Sequence, residues 1–170
     1  GGHCIPNNPI YFLWKIKQLG MTSQIMDSAL SVADSMASYV VKVVNDTLQT
    51  NNQNLNESQI LVLGITYKPD VQDTRESPAF PIMNLLQERG AQVHYSDPYV
   101  PSIEIPDTKD FERKSIQITK EVLKTFDLVL LITDHSSFSY QLIQENSSLI
   151  VDTRNAFRRH NLTGPHIVQA

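Results

Sequence analysis

Residues 59–64 (QILVLG) form a short aliphatic run that ends at a glycine, a pattern typical of a buried strand followed by a turn. Similar apolar runs follow at residues 91–95, 127–133 and 148–152, with helical patterns between them at 78–89, 119–125 and 138–145. Strands that alternate with helices predict parallel pairing with right-handed crossovers. We therefore expect residues 59–170 to form a small doubly wound α/β domain.

The chain before this domain has a helical pattern. Two prolines, Pro6 and Pro9, predict an irregular loop at the start, followed by a short helix over residues 10–19 that Gly20 ends. A second helix is expected over residues 22–49, where apolar residues recur at steps of three and four. Such a helix would be about 40 Å long. Its apolar stripe fits either core packing against the first helix or contact with a second subunit.

A polar stretch rich in turn-forming residues separates these two regions and predicts a linker at residues 51–58. The expected organisation is a helical segment at residues 1–50, the linker, and the α/β domain at residues 59–170. Ligands in doubly wound sheets bind at the carboxyl ends of the strands. Polar and charged residues cluster just after the expected strands, at 66–68, 97–98, 133–135 and 152–154.

Composition excludes several classes of protein. The 170 residues are 41% hydrophobic and 19% charged, which is enough for a folded core. The net charge of −4 argues against a nucleic-acid-binding protein, because binding to a phosphate backbone draws on excess Lys and Arg. Neither a transmembrane run nor a signal peptide is visible in the sequence. The single cysteine excludes an intrachain disulfide and a cysteine-based zinc site, and a cytoplasmic location fits these features.

Cys4 is one candidate for chemistry. It follows Gly1, Gly2 and His3; the glycines allow close approach of the backbone to a ligand, and a nearby imidazolium favours the thiolate. A buried, inert thiol is the competing interpretation.

Three cations near expected strand ends are the other candidates. Lys68 and Arg75 follow the first strand, and Arg154 follows the last. Each suits a phosphate, although surface ion pairs would also explain them. Ser77 before Pro78 is interpreted as a helix cap. Four of the five histidines, at 94, 135, 160 and 166, lack helical metal-ligand spacing, so we interpret them as surface or core residues and expect no metal site.

Five segments together resemble the UDP-glucose/GDP-mannose dehydrogenase family, in family order. They are residues 1–6 (GGHCIP) with Pro9, 61–70 (LVLGITYKPD), 73–79 (DTRESPA), 97–101 (DPYVP) and 151–155 (VDTRN). The first is similar to the family's nucleophile loop. Its histidine and the DPYVP stretch look most like the branch that acts on UDP-N-acetylhexosamines.

The resemblance implies a Rossmann-like UDP-sugar-binding domain and a twofold NAD-dependent oxidation of a sugar C6 alcohol to a uronic acid. Cys4 would add as thiolate to the intermediate aldehyde, and the later thioester would be hydrolysed. Gly1, Gly2, Tyr67, Lys68 and Arg154 fall at substrate-binding positions, and Arg75 falls where an arginine approaches NAD. The long helix matches the family's dimerisation helix.

The sequence departs from the family in two respects. It contains no G-x-G-x-x-G, and the resemblance begins at the cysteine segment. We therefore expect the NAD-binding domain to lie outside these 170 residues and this chain to be inactive alone. Asn8 also replaces a frequent aspartate, and Ser31, Ala33 and Ala37 replace frequent Glu, Asn and Pro residues of the central helix.

These departures leave two functional hypotheses open. In the first, the chain is the C-terminal part of a nucleotide-sugar 6-dehydrogenase that binds a UDP-sugar and forms a homodimer. In the second, the chain is a stand-alone nucleotide-binding or assembly module without catalysis. The sequence does not begin with Met, so we expect it to be part of a longer protein.

Overall fold

A computed structural model describes residues 2, 4–104 and 112–170 of the chain. The elements in chain order are α1 (Cys4–Gln18), α2 (Gln24–Thr50), β1 (Gln59–Leu63), α3 (Ala79–Glu88), β2 (Gln92–Ser96), β3 (Ser102–Glu104), β4 (Glu112–Lys114), α4 (Lys120–Leu123), β5 (Leu128–Leu131), α5 (Tyr140–Asn146), β6 (Ile150–Asp152), α6 (Ala156–Arg159) and β7 (Ile167–Gln169). Within these described ranges, no helix is both long enough and apolar enough to cross a membrane.

The main sheet has five strands in the order β2-β1-β5-β6-β7, and all neighbouring strands are parallel. This confirms the predicted α/β fold. The chain runs from β1 to β2 on one side and then crosses to β5 on the other. The point where the strand order reverses therefore lies between β1 and β5, which is where open α/β sheets usually bind ligands.

Two apolar layers cover the sheet, one on each face. On one face, β1 and β2 side chains pack with α3 and with the C-terminal half of α2, including Val40, Val44 and Leu48. On the other face, Leu61 and Val129 pack with α4, α5 and Phe157 of α6. The C-terminal half of α2 is thus part of the hydrophobic core that covers one face of the sheet.

The first helix differs from the prediction. It begins at Cys4, six residues before the expected start, and includes Pro6 and Pro9. Pro6 is tolerated because the first four N–H groups of a helix have no partner within it. Pro9 removes only one hydrogen bond from a helix that continues to Gln18. Cys4 is therefore the first residue of a helix, and the prediction of a loop there was wrong.

The rest of the predicted elements lie within about two residues of their observed positions, but four short elements were missed. The structure adds the antiparallel pair β3–β4, the four-residue helix α6 and the edge strand β7. Each is three or four residues long, too short for a periodic pattern in the sequence.

Gly64 makes the close approach of β1 and β5 possible. Its φ of +76° lies in the left-handed region, and a Cβ atom there would lie 2.3 Å from the carbonyl oxygen of Thr133. A side chain at this position would therefore strain the backbone and also push the two strand ends apart.

We predict that Gly64→Ala lowers the free energy of unfolding by about 2–4 kcal/mol, the sum of backbone strain and a clash with backbone. Gly20→Ala is the matched control, since Gly20 also has a positive φ of +72° but nothing lies within 4 Å of its Cβ position. It should lose only about 1 kcal/mol. Urea denaturation of both variants measures the difference, and equal losses would show that the contact with Thr133 is unimportant.

Candidate functional site

Asp97 lies at the carboxyl end of β2 and joins three strand ends. Its Oδ2 accepts hydrogen bonds from the backbone N–H of Ile65, after β1, at 2.7 Å and from Nε2 of His135, after β5, at 3.0 Å. Its Oδ1 accepts from the backbone N–H groups of Tyr99 at 2.8 Å and Val100 at 3.2 Å. Both the Asp97 and the His135 side chains are 0% exposed.

These contacts hold Asp97 in its charged form. Burial raises the pKa of the carboxyl, but the hydrogen bonds from His135, Ile65 and Tyr99 outweigh burial and bring the pKa below its usual range. Asp97 is therefore a buried carboxylate that stabilises the folded state near neutral pH.

Two threonines complete this group, which we call the strand-end cluster: Thr66, Asp97, Thr133 and His135. All four residues are buried. The hydroxyl of Thr133 donates to the carbonyl oxygen of Thr66 at 2.6 Å, and the Oγ1 of Thr66 lies 3.2 Å from Nε2 of His135. The crevice between β1 and β5 is thus filled by the protein's own polar groups. A ligand at this edge would lie on the rim above the cluster.

Tyr67 and Lys68 stand on that rim, directly after the cluster residue Thr66. Lys68 is exposed, and its Nζ lies 5.4 Å from the centre of the Tyr67 ring. Gly2 packs against the same ring: it is buried, has a φ of +84°, and a Cβ there would lie 2.7 Å from Cδ2 of Tyr67. Gly2, two residues before Cys4, therefore meets the sheet at the end of β1.

Cys4 is exposed. It begins the 15-residue helix α1, and the N-terminus of a helix favours a nearby negative charge. Of the other residues predicted in this segment, Gly1 lies outside the described residues.

Arg154 follows β6 and is held by a carboxylate. Its Nε donates to Oδ1 of Asp134 at 3.0 Å, and Arg159 binds Oδ2 of the same carboxylate. Asp134 is 9% exposed, whereas Arg154 and Arg159 are 50% and 56% exposed. Burial raises the pKa of Asp134, but the hydrogen bonds from Arg159 and Arg154 bring it below the usual range. Two exposed guanidinium groups therefore share one nearly buried carboxylate at this end of the rim.

Arg75 lies farther along the segment that follows β1. Its guanidinium binds Asp73 through Nε at 3.0 Å and Nη2 at 2.7 Å. Hydrogen bonds from Arg75 lower the pKa of Asp73 to about 2. Arg75 is 73% exposed, so this ion pair orients the guanidinium without enclosing it.

A family profile described as "UDP-glucose/GDP-mannose dehydrogenase family, UDP binding domain" matches residues 61–159, more than half of the chain. The chain belongs to this dehydrogenase family. The matched residues include all four members of the strand-end cluster, together with Tyr67, Lys68 and Arg154.

Individual relatives agree with this assignment. The UDP-N-acetyl-D-mannosamine dehydrogenase of Methanococcus vannielii is 32% identical over 170 residues, covering 95% of this chain and 36% of the relative. That of Yersinia pestis is 27% identical over 165 residues, covering 93% of this chain and 38% of the relative. The structure of the UDP-D-ManNAc dehydrogenase from Pyrococcus horikoshii superposes with a TM-score of 0.80 at 25% identity, covering 99% of this chain and 38% of the other. The chain thus spans little more than a third of the length of these relatives.

The described residues do not form a complete site for the NAD that this dehydrogenase family implies. The turn after β1 has a single glycine, Gly64. The space where a Cβ atom on Gly64 would lie is already occupied by the backbone of Thr133. At the start of α3, Ser77 Oγ already accepts a hydrogen bond from the N–H of Ala79 at 3.3 Å. Arg75 is the one predicted contact, so the part of the chain that the structure describes would supply a cation for a phosphate group and little more. In the same described ranges, no group of three His, Cys, Asp or Glu residues could hold a metal ion.

Sequence reasoning found the exposed cations but missed the residues that hold them. It marked Asp97 and residues 133–135 as polar positions after strands, and it interpreted His135 as a surface or core histidine. It did not foresee that His135 and Asp97 bind each other, or that Arg159 shares Asp134 with Arg154. The available signal was that these residues follow neighbouring parallel strands, whose carboxyl ends meet at one edge.

We predict that Asp97→Asn lowers the free energy of unfolding at pH 7 by about 3 kcal/mol, because the amide places a donor against the N–H groups and the imidazole. The folded-state pKa of Asp97 is depressed, so its contribution is full above the unfolded value of about 3.9 and is lost as the pH falls through the lower folded value. The difference in the free energy of unfolding between the two proteins, measured from pH 7 to pH 2, should therefore stay constant down to about pH 4 and become smaller below it. A constant difference across this range would contradict the assignment.

Proposed function

We propose that this chain is the C-terminal part of an NAD-dependent UDP-sugar 6-dehydrogenase, and that it binds the UDP-sugar on the rim of its sheet. The whole enzyme would oxidise the C6 alcohol of the sugar to a uronate, for polysaccharide biosynthesis in the cytoplasm. The observation that carries this proposal is the contact between Gly2 and the ring of Tyr67, because it joins the cysteine segment to the edge that bears the cations.

The ligand would lie along the rim from the end of β1 to the end of β6. These strands flank β5, so their ends are about 10 Å apart. Lys68 supplies a movable positive charge for the diphosphate, and Arg154 supplies a planar fork that Asp134 orients. Tyr67 offers an aromatic face, and Gly1 and Gly2 allow the backbone to approach. The names of the relatives favour UDP-N-acetyl-D-mannosamine as the sugar nucleotide.

Cys4 is the proposed nucleophile toward the sugar aldehyde. It is exposed at the start of α1, two residues from the glycine that contacts Tyr67. NAD would be held mainly by a domain outside this chain, with Arg75 contributing one contact. When bound, NAD would accept the hydride; the residues of this chain position the substrate and supply the thiol.

Substitutions at the rim test the ligand site. Lys68→Ala and Arg154→Ala should each weaken UDP binding by about 1.5–3 kcal/mol, or about 10- to 150-fold, because each removes a charge-assisted contact. Isothermal titration calorimetry with UDP measures the change. Lys124→Ala is the matched control: Lys124 is also exposed but precedes β5, at the opposite edge of the sheet. Equal effects of all three substitutions, or no UDP binding by the wild-type chain, would contradict the proposed site.

The N-terminal half of α2 supports a homodimer. Its exposed apolar residues Ile25, Val32, Met36 and Tyr39 are 84%, 60%, 45% and 48% exposed and recur at steps of seven, four and three. This spacing puts them along one side of the helix. Helix α1 does not cover them, and it exposes apolar residues of its own, including Trp14 at 61%. A second copy of the chain would remove this surface from water.

Charge on this stripe should separate the subunits. Ile25→Glu combined with Val32→Glu should raise the dimer dissociation constant at least about 100-fold, because both side chains would be buried in the interface. Sedimentation equilibrium measures the constant. Ser38→Glu, an exposed residue on a different side of α2, should leave it nearly unchanged. A monomeric wild-type chain would overturn this part of the proposal.

A stand-alone binding or assembly module is the alternative. One observation favours it: Asn8 lies four residues after Cys4 on the same helix, so the two occupy one helical face. The amide of Asn8 cannot act there as a base or as an anionic partner of the thiol. A second observation concerns Ala33 and Ala37, which replace larger residues that are frequent in the family. They line a pocket of about 410 Å³ with Ile5 and Pro78, and larger side chains would fill part of it.

Both hypotheses predict that this chain alone produces no sustained NADH from NAD and UDP-N-acetyl-D-mannosamine or UDP-glucose. The reason is that the described residues supply at most one contact to NAD. Absorbance at the NADH band, followed over many turnovers, is the measurement. Sustained production would show that the chain is a complete catalyst and would exclude the module hypothesis.

A further inference from the structure

His135 binds both ends of the segment that carries Tyr67 and Lys68. Its Nδ1 accepts a hydrogen bond from the backbone N–H of Asp70 at 3.0 Å, and its Nε2 lies 3.2 Å from Oγ1 of Thr66. The Thr66 hydroxyl in turn donates to the carbonyl oxygen of Lys68 at 2.9 Å. One imidazole therefore spans residues 66–70.

These contacts require one form of the imidazole. The N–H of Asp70 can only donate, so Nδ1 must offer a lone pair. The proton of the neutral ring then lies on Nε2 and is donated to Oδ2 of Asp97 at 3.0 Å. A neutral ring with its proton on Nδ1 would lose both contacts.

The ring has little freedom to turn. It is 0% exposed, and it lies between the rings of Tyr99, with centroids 5.0 Å apart, and Phe138, with centroids 5.3 Å apart. The hydroxyl of Tyr140 donates to the backbone oxygen of His135 at 3.0 Å. Because the ring of His135 cannot turn, it can hold its hydrogen-bond partners, Asp70 and Thr66, in place.

We propose that His135 is a positioning residue for the nucleotide site: its neutral form with the proton on Nε2 holds residues 66–70 so that Tyr67 and Lys68 are set before the ligand arrives. This inference rests on the proposed function, since Tyr67 and Lys68 are taken there to contact UDP. A preset segment binds more tightly because less conformational entropy is lost on binding.

Protonation of His135 would release the segment. A proton on Nδ1 would face the Asp70 N–H, and two donors cannot share a hydrogen bond. The charged groups facing the ring are the carboxylates of Asp97 and Asp70, and Oδ1 of Asp70 is 3.8 Å from Nδ1. That oxygen now accepts from the N–H of Ser136 at 2.9 Å and from the Tyr99 hydroxyl at 3.2 Å. Binding Nδ1–H instead would pull it from these partners and displace the segment.

Two substitutions separate the contacts of the ring. His135→Asn keeps an acceptor near the Nδ1 position but loses the donor, whereas His135→Gln keeps a donor near the Nε2 position but loses the acceptor for Asp70. We expect the N–H of Asp70 to keep its hydrogen-exchange protection in His135→Asn and to lose at least about tenfold in His135→Gln. UDP affinity should stay within about threefold in the first variant and fall about tenfold in the second. Val129→Ala, which removes buried apolar volume from β5, controls for a general loss of stability.

The protonation site of the imidazole provides a spectroscopic readout that a purely structural role would not require. Long-range ¹H–¹⁵N correlation of the imidazole should show the neutral form protonated on Nε2. A proton on Nδ1, or equal losses in His135→Asn, His135→Gln and Val129→Ala, would each overturn the positioning role. If the wild type binds no UDP, the proposed function fails, while the exchange of the Asp70 N–H still decides whether His135 holds the segment.

Discussion

The burial of the Asp97 carboxylate is the constraint on which the candidate site depends. A buried charge is costly unless hydrogen bonds compensate for the lost water, and here the compensating donors come from the connections after β1, β2 and β5. Each of these connections must therefore adopt the one path that brings its donor to the carboxylate. The same requirement fixes the side chain of His135 and, through it, the segment that carries Lys68.

The arrangement separates structural polar groups from exposed ones. Thr66, Asp97, Thr133 and His135 are buried and fill the crevice where the strand order reverses. The cations stand outside it, and carboxylates orient two of them: Asp134 holds Arg154, and Asp73 holds Arg75. An exposed ion pair adds little to stability. The main effect of these contacts is therefore to orient each guanidinium toward solvent. A rigid base with oriented charges above it suits a phosphate-containing ligand.

The sequence predicts the core of this fold well because buried parallel strands consist of continuous, mainly aliphatic runs, such as residues 59–63 and 128–131. The start of α1 was mispredicted because prolines argue against a helix interior, yet Pro6 lies in the first turn, where its missing N–H costs nothing. Strands as short as β7 and helices as short as α6 have no detectable period.

The candidate site, like the fold, could be predicted from the sequence only in part. Lys68 and Arg154 could be found from their positions after strands, but their partners could not, since the pairing of Asp97 with His135 joins residues 38 apart in the chain. That pairing depends on how two connections converge in three dimensions.

The most direct test of this account is to map UDP onto the ¹⁵N-labelled chain by amide chemical-shift perturbation. If UDP binds on the rim, the shifts will cluster at the carboxyl edge of the sheet, in residues 64–70, 97–99, 133–136 and 153–155, and extend to the first turn of α1. Perturbations confined to the amino edge of the sheet, or spread evenly over its surface, would contradict it.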